Sequence, residues 1–255
     1  MIAARAGNSS RCAAFYGPEL WEKIVLARRN CVVLALAALT LVGGALPSMA
    51  AQSEVSTGII HTKSVEALQL ATWVTASRDN GDRPFIVIDK VTAEVLIFDT
   101  AGLLQGVTPA LLGIAKGDDA TPGIGDKDLG EIGPAEKTTP AGRFFARIGP
   151  AKGDQTVLWV DFNTSVALHA VVTKNPAEHR LERLASPTPQ DNRITFGCIN
   201  VPAAFFEDVV RPIFGSNGGM VYILPESRFL IEVFPAFDMF APPIKRTAEA
   251  VQQGS

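Results

Sequence analysis

Gly197-Cys198 puts a thiol in a tight turn just ahead of Pro202–Val210, a stretch with helical spacing. Nucleophilic cysteine chemistry needs a thiolate, a base to generate it, and donors for the oxyanion that forms on attack. The spacing predicts that Asn200 or Val201 caps this helix, placing the positive end of its dipole near the sulfur. The backbone N–H groups of Phe196, Gly197 and Cys198 are the oxyanion donors that such a turn offers. His169 lies in the apolar run Ser165–Val172, where packing would hold its ring, and an imidazole is the usual base near neutral pH. The residues also admit blander readings. A lone Cys flanked by Phe196 and Ile199 reads as a small buried hydrophobe, and a lone His on an apolar strand reads as a core residue. His179 sits in a charged segment and is a runner-up base; His61 lies in a polar lead. One mature Cys and scattered His do not make a zinc site, which takes three or four ligands.

The elements that must position these groups are mostly short. Ser64–Ser77 predicts an amphipathic helix with Ser64 as its cap. Pro84–Asp89 and Glu94–Asp99 predict a β-hairpin, after the turn Asp79-Asn80-Gly81-Asp82. Leu111–Ile114 is a further apolar run. Residues 116–142 hold six Gly and three Pro without regular periodicity, the mark of a functional or disordered loop. They contain no Gly-x-Gly-x-x-Gly and no Gly-Lys-Ser/Thr, so phosphate cradling is unsupported. Arg143–Ile148, Thr156–Phe162, Ser165–Val172 and Gly219–Leu224 predict strands. Pro176–Leu184 predicts a short charged helix.

The chain has 255 residues, 47% of them apolar, and a formal net charge of −3. That length supplies a substantial core, and the acidic balance argues against a nucleic-acid binder that works by phosphate neutralisation. Arg28 and Arg29 precede the uncharged run Cys31–Leu46, which is too short for a comfortable membrane span of about 20 residues. It ends in Pro47-Ser48-Met49-Ala50, a small-x-small pattern that predicts an export signal over 1–50, cleaved after Ala50. An uncleaved N-terminal anchor is the alternative. Removing residues 1–50 takes five basic and two acidic residues, so the exported chain carries a charge of −6 and a single thiol, Cys198. With no partner for a disulfide, that thiol is either buried or used.

Leu168-His169, followed by Thr195-Phe196-Gly197-Cys198-Ile199-Asn200, resembles the signature of the L,D-transpeptidases, the YkuD-type domain. Phe85–Asp89 with Leu96–Asp99 is similar to that family's opening hairpin, Lys137–Phe144 to its Thr-Pro-x-Gly-x-Phe segment, and Gly219–Leu224 to its closing strand. The resemblance spans about residues 84–225. It implies a mainly β fold with a few helices, a sandwich-like or barrel-like catalytic domain, preceded by a lead and helix over 51–83 and followed by an extension over 226–255. It further implies an exported, cell-envelope acyltransferase for peptidoglycan stem peptides, both donor and acceptor, with Cys198 as nucleophile, His169 as general base, and no metal or organic cofactor. A hydrolase on the same scaffold and a non-catalytic cell-wall binder are the alternatives. Thr195, Asn200 and Arg193 fall at substrate-binding positions; Arg193 fits a substrate carboxylate and a structural ion pair equally well. The chain departs from the family pattern in four places. Phe196 replaces a second His, Thr195 replaces Ser, Ala170 replaces Gly after His169, and an insertion over 174–192 sets His169 and Cys198 29 positions apart.

Overall fold

The computed structural model describes residues 62–151, 155–215 and 217–237. The export signal expected over 1–50, His61 and the end of the chain after Phe237 lie outside the described residues.

Helix α1 (Val65–Ser77) opens the described unit, and Ser64 caps it by accepting from the Ala67 N–H at 3.0 Å. Strands β1 (Phe85–Asp89) and β2 (Glu94–Phe98) form the expected antiparallel hairpin. Strands β3 (Leu104–Pro109), β4 (Leu112–Gly113), β5 (Gly142–Pro150), β6 (Thr156–Asp161) and β7 (Val166–Ala170) follow. Between β4 and β5 the Gly/Pro-rich segment makes three single 3-10 turns and no strand. The insertion carries the 3-10 turn Pro176–Glu178, the short helix α2 (Arg180–Ala185) and the turn Pro189–Asn192. Strands β8 (Arg193–Thr195) and β9 (Ile199–Val201) flank the Cys198 turn. Helix α3 runs through Ala203–Phe205, a π-helical turn Phe206–Val210, and Arg211–Phe214. Strand β10 (Gly219–Ile223) and the single turn α4 (Leu230–Val233) complete the unit.

Eight strands form one mixed sheet in the order β3-β2-β1-β10-β5-β6-β7-β9. β10 runs parallel to β1 and antiparallel to β5, and β7 runs parallel to β9. Past β3, the chain pairs back onto β9: Leu111 and Asn200 exchange two backbone hydrogen bonds at 2.8 and 2.9 Å. The first and last strands of the sheet are thus joined through one bridge, which gives the sheet a barrel-like closure. The fold is therefore mainly β with few helices, as the sequence predicts.

Two apolar clusters hold it together. Inside the curled sheet pack Ile86, Ile88, Val95, Ile97, Leu158, Leu168, Ile199, Val221 and Ile223, closed off by Phe206, Val210 and Phe214 of α3. On the outer side of β1, β2 and β10, the alternate residues Phe85, Val87, Leu96, Phe98, Met220 and Tyr222 pack against α1 and against Phe234 and Phe237. These three strands are buried at every position, which explains their unbroken apolar runs. The packed unit therefore includes α1 on one side and residues to Phe237 on the other, wider than 84–225. Strand β5 alternates instead, and only its inner residues are covered.

Candidate functional site

Cys198 sits in the turn between β8 and β9, partly exposed and unpaired with any other sulfur. Gly197 makes the turn possible. Its φ is +127°, and a Cβ there would approach the Thr138 carbonyl oxygen to 2.8 Å. Thr195 closes the turn: its hydroxyl donates to the Cys198 carbonyl at 2.6 Å and accepts from the Gly197 N–H at 3.2 Å. Thr195 is therefore buried inside the turn rather than facing a substrate. Gly197 is also withdrawn from the three oxyanion donors, because its N–H is already engaged. Among the described residues, the Phe196 and Cys198 N–H groups have no such partner.

The anticipated helix dipole does not reach the sulfur. Cys198 leads into β9, and α3 begins only at Ala203, with Pro202 at its cap. What the sulfur meets instead is the start of β7: Sγ donates to the Ser165 carbonyl at 3.6 Å, and the Ala167 N–H is directed at it. Burial raises the thiol pKa; the Ala167 N–H and the positive charge of Arg180 oppose this without reversing it.

His169 is on β7, one position beyond the core residue Leu168 and on the opposite face of the sheet. The parallel pairing of β7 with β9 sets His169 directly beside Asn200. Its ring is held by hydrogen bonds, not by the apolar packing that the sequence suggests. Nδ1 lies 2.8 Å from the Ala170 carbonyl and Nε2 lies 3.0 Å from Asn200 Nδ2; the Gln155 side-chain nitrogen, 3.3 Å from Nδ1, can only donate and makes no hydrogen bond to a protonated Nδ1. A carbonyl can only accept, so Nδ1 carries the proton and Nε2 keeps the lone pair. Burial lowers the His169 pKa; the Ala170 hydrogen bond works against this, and the Arg180 charge adds to it. The resting pair is thus a thiol and a neutral imidazole rather than a thiolate–imidazolium pair. No hydrogen bond joins Sγ to the ring among the described residues, since each group is turned to its own partner.

Two segments brace this arrangement. From the Gly/Pro-rich loop, the Thr139 hydroxyl donates to the Gly197 carbonyl at 2.8 Å and accepts from the Gly113 N–H at 2.9 Å. Lys137 Nζ stands 3.6 Å from the centre of the half-exposed Phe196 ring, a cation–π contact. From the insertion, Arg180 Nη1 donates to Asn200 Oδ1 at 2.7 Å. His179, by contrast, pairs with Glu182 at 2.6 Å on the exposed surface.

Arg193 resolves into the structural reading. Its guanidinium donates to the Glu226 carboxylate at 2.6 and 3.2 Å and to the Lys90 carbonyl at 2.8 Å. Glu226 belongs to a larger buried set: Lys90 Nζ meets Asp118 at 2.8 Å and the Thr139 carbonyl at 3.1 Å. Arg180 and Gln155 escape a reading of the sequence, because no motif spacing links them to His169 or Cys198; Thr139 stands in the Thr-Pro segment, but its bond to Gly197 is set by the fold. Among the described residues there is no cluster of His, Cys, Asp or Glu able to hold a metal.

A mainly β domain with a histidine on one strand and a cysteine in the turn that leads into its parallel neighbour is the class that fold and site define. No protein-family model matches the chain, and neither does any curated protein. Among solved structures it is similar to an L,D-transpeptidase from Xylanimonas cellulosilytica, at 16% identity over 55% of this chain and 60% of that one, with a TM-score of 0.33. It is also similar to the catalytic domain of the E. faecium L,D-transpeptidase, at 14% identity over 56% of this chain and 98% of that one, with a TM-score of 0.32. A third likeness is to the helical cell shape determining protein Pgp2 from Campylobacter jejuni, at 11% identity over 58% of this chain and 49% of that one, with a TM-score of 0.38. The chain thus spans about three-fifths of the first of these proteins and about half of the third.

Proposed function

We propose that this chain is an exported cysteine acyltransferase that forms L,D cross-links between peptidoglycan stem peptides. The observation that carries the reading is the β7–β9 register, which brings an unprotonated imidazole nitrogen beside the strand that Cys198 opens. The resemblance of Thr195-Phe196-Gly197-Cys198-Ile199-Asn200 to the L,D-transpeptidase signature supplies the substrate class.

The reaction follows from the two groups. The thiol leaves the Ser165 carbonyl, displaces the Asn200 NH2 group from His169 Nε2 and gives its proton to that nitrogen, while sulfur attacks the carbonyl carbon that precedes the terminal D-residue of a donor stem. The oxyanion forms against the free N–H groups of Phe196 and Cys198. The tetrahedral species collapses to a Cys198 thioester, and His169 returns the proton to the departing D-amino acid. A second stem's amine then attacks the thioester, losing a proton through His169, and the thiol is regenerated. Water in place of that amine would give a shortened stem instead. Because thiol and imidazole both rest neutral, the base acts during attack and not before it.

Purified chain incubated with a disaccharide-tetrapeptide donor and a separate acceptor stem tests this. Cross-linked dimers and release of the donor's terminal D-amino acid are expected in a muropeptide separation. Shortened monomers alone would move the assignment to a hydrolase. A chain that releases nothing and forms no Cys198 adduct with a carbapenem would be a binder only.

A further inference from the structure

We propose that Arg180, carried by the insertion over 174–192, is a positioning residue that fixes the tautomer of His169 through the side chain of Asn200. The inference rests on His169 being the base, but its readouts do not require turnover.

Each step is forced by the one before. A guanidinium has donors and no acceptor. Arg180 Nη1 therefore meets the oxygen of the Asn200 amide, at 2.7 Å, and not its nitrogen. That leaves the Asn200 NH2 group to face the imidazole, 3.0 Å from Nε2. A donor there requires a lone pair on Nε2, so the ring's one proton lies on Nδ1, where the Ala170 carbonyl accepts it at 2.8 Å. The choice that the Ala170 carbonyl makes at Nδ1 is thus enforced at Nε2 by a residue two hydrogen bonds away.

At rest the relay is held from both ends. Asn200 is 1% exposed, and its backbone is locked by the paired bonds with Leu111. Glu178 holds the Arg180 Nε, so the guanidinium is aimed before it meets the amide. Without Arg180 the amide is free to turn over. Its oxygen would then accept a proton from Nε2, removing the lone pair that must take the thiol proton and favouring the imidazolium.

The charged groups around the ring are few. Arg180 comes from the insertion with Glu178 behind it, Cys198 lies two residues before Asn200, and Gln155 on the other side is uncharged. Loss of the Arg180 cation therefore also raises the His169 pKa, since that charge works against protonation.

The test uses the full chain with 15N-labelled histidine. His169 is assigned by the resonances that vanish in His169→Gln. The wild-type protein is expected to show a protonated Nδ1 and a pyridine-like Nε2 at neutral pH. In Arg180→Met, a measurable share of Nε2 should become protonated, the His169 titration should move to higher pH, and kcat should fall about tenfold or more with KM little changed. Arg180→Lys, which keeps the charge and a donor, should restore the wild-type tautomer. Asn200→Asp gives a second route: a carboxylate accepts from both sides, so the imidazolium should persist to higher pH than in the wild type. A wild-type ring protonated on Nε2, or an Arg180→Met ring that keeps both its tautomer and its titration, would overturn the proposal. If the tautomer shifts as expected but no variant or wild type acts on stem peptides, the relay stands and the acyltransferase reading falls.

Discussion

The two halves of the sheet are built on opposite terms. In β1, β2 and β10 every residue is buried, one set inside the curled sheet and the other under α1 and Phe237. In β5 and β6 buried positions are interrupted by half-buried or exposed ones, and in β7 and β9 the outer rows carry the polar His169 and Asn200, covered by hydrogen-bonding partners rather than by α1. The covered half derives its strength from apolar area, at roughly 25 cal/mol per Å2 buried. The other half trades that area for polar groups held by hydrogen bonds, which contribute only about 1 kcal/mol each but fix direction. Stability and chemistry are thus assigned to different strands of one sheet, and a mutation's consequence depends on which half it strikes.

The sharpest test of that division is Cys198→Ala. It should reduce stem-peptide turnover by more than about a thousandfold, followed by release of the terminal D-amino acid. The melting temperature should hardly move, because the thiol is a small, partly exposed group. Appreciable residual turnover would show that the sulfur is not the nucleophile.

Phe85→Ala strikes the other half. The ring is 0% exposed and stacks on Phe98 at 4.7 Å. Its removal should cost about 3–5 kcal/mol in denaturant unfolding while leaving turnover per folded molecule unchanged. A comparable loss from Trp159→Ala, on β6 and half-buried, would break the comparison between the halves.

Asp118→Asn probes the buried polar set that joins them. Burial alone would raise this carboxyl's pKa, but hydrogen bonds from Lys90, Ser227 and the Glu226 N–H overcome it and hold the pKa well below the carboxylate range. A depressed folded pKa contributes stability that is present above the unfolded value, about 4, and is lost as pH falls through the folded one. The substitution should therefore cost about 3 kcal/mol at neutral pH, leaving Lys90 buried and underpaired, and should flatten the fall in stability between pH 4 and lower values. An unchanged acid limb in unfolding curves would remove Asp118 from that role.

Tyr222→Phe should give the smallest effect, about 1 kcal/mol, through loss of the 2.5 Å bond from its hydroxyl to Asp79. Thermal unfolding reads this directly, and a loss as large as that of Phe85→Ala would mean that the 2.6 Å ion pair between Arg143 and the same Asp79 carboxylate depends on it.

Local signals already specify the hairpin of β1 and β2, the Ser64-capped helix, and the closing strand, because apolar alternation, a capping hydroxyl and turn residues act over a few positions. The same locality makes Gly197 and Cys198 stand out as a turn with a thiol. Other parts depend on contacts between distant segments. Lys90 lies in the polar link between the hairpin strands, yet its side chain is 0% exposed, because Asp118 lies 28 positions away in sequence and 2.8 Å away in space. Arg193 reads equally well as a substrate ligand until Glu226 arrives beside it.

The sequence alone determined which residue types could do chemistry here, since the identity of a thiol, an imidazole and a helix-capping hydroxyl needs no tertiary context. Only the tertiary structure decided what each one faces. Parallel pairing of β7 with β9 aligns His169 with Asn200, and the insertion delivers Arg180 to the far side of that amide. Hydrogen-bond direction is a property of three-dimensional approach. A chain read in order shows the donors and acceptors but not which pairs meet.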